Sequence, residues 1–161
     1  MISTRRHLEY ARGFLELSMF AEAAAELAAI TAADRDAPEV LGVRADYHMQ
    51  AKEWAELVAV ARRCAQATPA GDKGWIYWAY ALRELGRIAE AQAVLHEAEP
   101  QHGATCAVLH YNLSCYACLL GDHREARRRL ALAFQMEAGW KDAALDDADL
   151  QAMRDTIKAM K

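Results

Sequence analysis

Four short quartets at a nearly constant interval constrain this chain more than any other feature. Leu17-Ser18-Met19-Phe20, Ala51-Lys52-Glu53-Trp54, Leu85-Gly86-Arg87-Ile88 and Leu120-Gly121-Asp122-His123 align so that their second residues fall 34, 34 and 35 positions apart. A fixed period of this length is the signature of stacked supersecondary units, each of which buries its apolar face against a neighbour. The register holds on both sides of each quartet. Ala11, Ala45, Ala79 and Ser114 precede the second residues, and Ala23, Leu57, Ala91 and Ala126 follow them. Small side chains at two recurring points let two helix backbones approach closely and set a crossing geometry.

The units are helical. Leu27, Ala61, Leu95 and Leu130, then Ile30, Cys64, Ala98 and Ala133, continue the pattern at the i, i+3, i+4, i+7 spacing of amphipathic helices. The chain spends 36 of its 161 positions on alanine against 8 glycines and 3 prolines. Alanine is the best helix former, so this usage excludes a β-sandwich or barrel. Eight helices in four pairs are expected, near 4–17 with 20–33, 37–51 with 54–67, 72–85 with 88–99, and 104–120 with 123–137. Asp36 is positioned to cap the third helix with Pro38 just inside it, and Pro69 and Pro100 to close the second and third pairs. Beyond residue 138 the repeat stops. There Asp147 is expected to cap a last helix, about 147–160, whose Leu150, Met153, Ile157 and Met160 form one stripe and cover the last pair.

With these residues in view, the chain resembles the tetratricopeptide repeat family. The match lies in the 34-residue helix–turn–helix unit, Trp75 early in the third unit, Gly86 and Gly121 in turns, small residues at both crossing points, and Pro69 at a repeat end. The segments 75–86 and 111–121 match best. Ser18 and Lys52 stand where a turn glycine is common, and Arg44 takes a position that is usually apolar. The resemblance covers residues 5–138. It implies an all-α, right-handed α-α superhelix, or solenoid, of four hairpins plus a C-terminal capping helix. That makes one domain over 1–161 with repeats near 4–36, 37–70, 71–103 and 104–138.

Chemistry is sparse by comparison. The formal charge of −4 opposes nucleic acid and anionic lipid, and no stretch has the apolar length of a membrane span. A polar, charged start without an apolar signal core points to a cytoplasmic protein with free thiols. No GxSxG, P-loop or HExxH spacing occurs, so no enzyme activity and no cofactor are expected. Cys106, His110, Cys115 and Cys118 fall on one expected helix, but the pair Cys106/His110 and the pair Cys115/Cys118 point in directions about 140° apart. One straight helix does not wrap a tetrahedral zinc in that way, so no metal is expected. A redox role for Cys115 and Cys118 fails on context, because they sit late in a helix where the dipole opposes thiolate. Arg124, Arg127, Arg128 and Arg129 read as a solvated face paired with Glu125, and Asp142, Asp146, Asp147 and Asp149 as cap and surface acids.

The resemblance also implies a concave groove lined by the first helix of each unit. Its phase selects Leu8, Arg12 and Leu15, then Asp46 and Met49, then Ile76, Tyr80 and Arg83, then Tyr111, Cys115 and Cys118. Tyr, Met and Arg are the residue types enriched at binding hot spots. Arg5, Arg12, Arg83 and Asn112 do not reproduce the clamp with which some family members hold a chaperone's C-terminal carboxylate. The expected function is therefore a non-catalytic interaction module binding a peptide segment of a partner protein, with Tyr80 and Tyr111 as anchors and Arg12 and Arg83 orienting acidic groups. A small secretion-type chaperone for an export substrate and a structural homo-oligomer are the alternatives.

Overall fold

A computed structural model describes residues 2–160. Among them the regular structure is entirely helical: α1 (Thr4–Glu16), α2 (Phe20–Ala28), α3 (Pro38–Gln50), α4 (Trp54–Ala67), α5 (Lys73–Glu84), α6 (Ile88–His102), α7 (Ala107–Leu119), α8 (His123–Met136), α9 (Trp140–Asp146), a 3-10 helix (Ala148–Met153) and α10 (Arg154–Ala159). Two compact units divide the chain, residues 1–81 and residues 82–161.

The four quartets fold as one device. Their second residues all have positive φ: 57° at Ser18, 58° at Lys52, 74° at Gly86 and 84° at Gly121. Each turn carries the same two backbone bonds. The amide after the turn residue bonds back to the helix, as in Met19 N–H to Phe14 O at 2.8 Å, Glu53 to His48 at 2.9 Å, Arg87 to Leu82 at 2.9 Å and Asp122 to Ala117 at 2.8 Å. The turn residue's own amide bonds to the carbonyl three back, at 3.0 Å in Ser18, 3.3 Å in Lys52, 2.9 Å in Gly86 and 3.0 Å in Gly121. This is the Schellman helix stop, which satisfies carbonyls the helix leaves open but demands a left-handed residue. Left-handed backbone costs a residue with a Cβ about 1–2 kcal/mol, partly offset by glycine's greater freedom when unfolded. Ser18→Gly and Lys52→Gly are therefore expected to stabilise by about 0.5–1 kcal/mol each. Denaturant titration of the two variants against Gly86→Ala, which shifts stability the opposite way, checks the assignment.

In the first unit, one buried cluster gathers Leu8, Ala11, Leu15, Ala23, Leu27, Ile30, Val40 and Val43 from α1, α2 and α3. A second gathers Leu41, Ala45, Leu57, Val60, Ala61 and Ala81. The crossing alanines Ala11, Ala23 and Ala79 are fully buried, as are Ala91, Ser114 and Ala126 in the second unit. At Gly74 a Cβ would stand 2.5 Å from the Ala65 amide nitrogen, so α5 starts in direct backbone contact with α4.

Several expected boundaries move. α2 stops at Ala28 instead of near 33, because Thr31 and Asp34 bond to one another through side chain and backbone, and such local bonds compete with helix. Asp36 does not cap α3. Ala37 is the N-cap with Pro38 inside, and Asp36 instead pairs with Arg63. Pro100 does not end α6, which runs on to His102. So near the end, proline removes one bond to the His96 carbonyl, and the continuing turn buries His102. The expected helix over 147–160 is a 3-10 turn followed by α10. Asp147 accepts the Asp149 N–H at 2.9 Å, a cap two residues on that starts a tighter turn. Leu150, Met153, Ile157 and Met160 are buried, and α9 precedes them over residues where no helix was expected.

Candidate functional site

In the first unit, Arg12, Met49, Ile76 and Tyr80, among the residues that helical phase selects, keep part of their surface accessible. Arg12 is exposed, whereas Leu8 and Leu15, one turn away on either side, belong to the buried cluster. Met49 and Trp54 rest half-buried on the second cluster. Tyr80 is 38% exposed and packs edge-on against Trp54, with ring centroids 5.9 Å apart. Ile76 is half-buried. Asp46 is not free. Lys73 Nζ donates to it at 2.7 Å, and the Tyr77 hydroxyl donates to it at 3.1 Å. Burial, with Asp46 adding, pushes the Tyr77 phenol up to about 12. Beside this pair opens a cavity of about 180 Å³ whose walls include Gly42, Ala45 and Cys64. Burial raises the Cys64 thiol, and Lys73 only partly opposes it, so this cysteine stays a thiol at neutral pH.

In the second unit the selected residues are engaged by the chain itself. Arg83 donates through Nε to Asp149 at 2.8 Å and through Nη2 to the other Asp149 oxygen, and its Nη1 reaches Glu84 at 2.6 Å. The Tyr111 hydroxyl donates to Asp147 at 2.7 Å, and the Tyr111 ring lies 4.5 Å from that of Trp140. Cys115 Sγ donates to the same Asp147 oxygen at 3.7 Å. Tyr111, Cys115 and Cys118 are buried. Burial first, then Asp147 and Asp149, raise the Cys115 and Cys118 thiols, so neither is primed for nucleophilic or redox chemistry.

Donor atoms of Cys115, Asp147 and Asp149 lie within 4.8 Å of one another. As a metal cage the set fits poorly, because both carboxylates already accept hydrogen bonds: Asp149 from Arg83, and Asp147 from Tyr111 and Cys115. The role of Asp147 and Asp149 as partners of Arg83, Tyr111 and Cys115 escapes sequence reasoning, which marks them as cap and surface acids. Their spacing, two acids flanking one alanine just before an apolar stripe, is the available signal.

No family model matches the chain, and no curated protein sequence does. Solved structures do. A crystal structure of MamA protein superposes with a TM-score of 0.79 at 14% identity, covering 96% of this chain and 86% of that one. MamA MSR-1 C2 gives 0.74 at 18%, covering 85% and 78%. TTC0263, a thermophilic TPR protein from Thermus thermophilus, gives 0.68 at 17%, covering 98% and 100%. At such identities the likeness speaks to fold, and together with the four repeated helix stops it gives this chain a tetratricopeptide-like fold, an all-α solenoid of helix hairpins.

Proposed function

We propose that the protein is a non-catalytic interaction module that binds a segment of a partner protein on the first-unit face carrying Arg12, Met49, Ile76 and Tyr80. The observation that supports this reading best is the exposed Tyr80 ring standing edge-on to Trp54, which itself rests with Met49 on the buried cluster below. An aromatic ring that is held on one side and wet on the other is the usual form of an interface anchor. Met49 supplies an adaptable apolar contact, and Arg12 a charge to orient an acidic group. Tyr111 and Arg83 have their polar groups committed to Asp147 and Asp149, so the weight of binding falls on the first unit.

Tyr80→Ala is expected to weaken capture of the partner at least about tenfold, the effect of removing a hot-spot residue, with the circular dichroism spectrum unchanged. The experiment isolates the partner by affinity capture from native lysate, then measures the purified pair by calorimetry. Undiminished binding by Tyr80→Ala overturns the reading. Recovery of an unfolded export substrate would favour a chaperone, and a mass that grows with concentration would favour a homo-oligomer.

A further inference from the structure

The repeat register isolates one place where the second 34-residue repeat departs from the third. Arg44 stands immediately before the crossing residue Ala45, in phase with Trp78 and Leu113. Leu113 is buried, and Trp78 receives the Arg62 guanidinium 5.6 Å from its ring centroid. One period upstream of Arg62 and Val58, α2 carries Ala28 and Ala24. The bulk that occupies this position between α4 and α5 is thus missing between α2 and α3. A cavity of about 160 Å³ opens there, lined by Ala24, Leu27, Ala28, Arg44, Tyr47 and His48.

Arg44 is half-buried and, among the described residues, has no ion-pair or hydrogen-bond partner. Glu53, the carboxylate that two of the lining residues touch, is held by His48 Nδ1 at 2.7 Å and by the Tyr47 hydroxyl at 3.5 Å. A half-buried guanidinium without a partner offers its N–H donors to an anion at the cavity mouth, and partial burial strengthens that attraction relative to bulk water. Its planar fork matches a carboxylate, and the alanine and leucine floor matches a short aliphatic stem. The volume is below the roughly 300 Å³ at which pockets begin to enclose whole small molecules, and the cavity is open to solvent. That suits the end of a side chain projecting from a larger body.

We propose that this α2–α3 cavity is a carboxylate-binding site that receives a glutamate side chain of a partner protein. The stem lies on Ala24, Leu27 and Ala28, and the carboxylate pairs with Arg44. Tyr80 takes no part, so the site stands or falls separately from the face described above.

The test is an NMR titration of the whole protein with N-acetyl-glutamate N-methylamide at neutral pH. Saturable shifts are expected at the amides of Ala24, Ala28, Arg44 and His48 and at the Arg44 Nε–H. The glutamine analogue, equal in shape and uncharged, is expected to bind at least about tenfold more weakly, and Arg44→Met to lose a similar factor. Ala28→Leu, which fills the cavity while leaving the guanidinium, is expected to abolish the shifts, and it decides the matter if Arg44→Met folds poorly. Tyr80→Ala leaves the titration unchanged. Equal binding of the glutamine analogue, or shifts that survive Ala28→Leu, overturn the proposal. Binding of pentanoate without binding of the glutamate derivative also overturns it, since the occupant would then be a free acid.

Discussion

Arg129→Ala is expected to destabilise the protein by about 3–5 kcal/mol, the cost of removing one partner from a buried ion network. Arg129 is 3% exposed and joins three helices of the second unit. Its Nε donates to Glu125 at 2.6 Å, Nη2 to Glu99 at 2.9 Å, and Nη1 to the second Glu99 oxygen and to His110 Nδ1, the latter at 3.0 Å. His110 Nε2 faces the Gly103 carbonyl at 2.8 Å. That geometry places the imidazole proton on Nε2, so Nδ1 is an acceptor that only the arginine satisfies. Truncation would leave a void, an orphaned ring nitrogen and two carboxylates without their shared cation. Glu99→Gln combined with Arg129→Met should be less destabilising than the two single changes summed, because the pair removes both charges.

The same network carries a pH signature. Glu99 is held at about 2, chiefly by its hydrogen bond from Arg129. Glu125 is also held at about 2, first by Arg128 and then by Arg129. Unfolded glutamate titrates near about 4.3, so these depressed groups contribute stability that is complete above that pH and is lost as pH falls toward 2. Thermal unfolding at pH 7, 4 and 2.5 should show the gap between wild type and Arg129→Ala closing on the acid side. A gap that stays constant over that window would remove the ion network as its cause.

What could be read from residues alone was what repeats. Ser18, Lys52, Gly86 and Gly121 are chemically unlike, yet their shared interval marks four identical helix stops, since backbone geometry recurs even where the side chain does not. Ala11, Ala23 and Ala79 were legible for the same reason. Ala24 and Ala28 were not, because in an alanine-rich helix a residue chosen for propensity and one that leaves a cavity look alike. Arg44 stood out as irregular without revealing its surroundings. The partners of the residues that helical phase selects were not legible. Helical phase says that Arg83 and Tyr111 lie on the first-helix face; it is silent on Asp149, 66 residues from Arg83, and on Asp147, 36 from Tyr111. Such pairings depend on where a later segment folds back, and a single sequence holds no periodic signal for that.

That later segment is held chiefly by apolar burial. Leu150→Ala is expected to cost about 3–5 kcal/mol, since Leu150 is fully buried and a leucine truncated in a rigid core loses both transfer energy and packing around the void. Two kinds of contact hold the segment against α7 and its surroundings. Leu150, Met153 and Ile157 bury an apolar stripe, while Asp147 and Asp149 accept from Tyr111, Cys115 and Arg83. The polar set should matter less. Tyr111→Phe removes one donor to Asp147 and leaves the cysteine and the Asp149 amide in place, so a loss nearer about 1 kcal/mol is expected, the net worth of a single hydrogen bond. Limited trypsinolysis supplies a second readout, because Arg154 and Lys158 lie within the segment. Cleavage there should accelerate strongly in Leu150→Ala and in Ile157→Ala, and only slightly in Tyr111→Phe. The reverse order would mean that the aspartates, rather than the apolar stripe, pin the segment down. Arg83 and Tyr111 would then be structural clasps above all else, and a search for ligands on the second unit would have to begin from other residues.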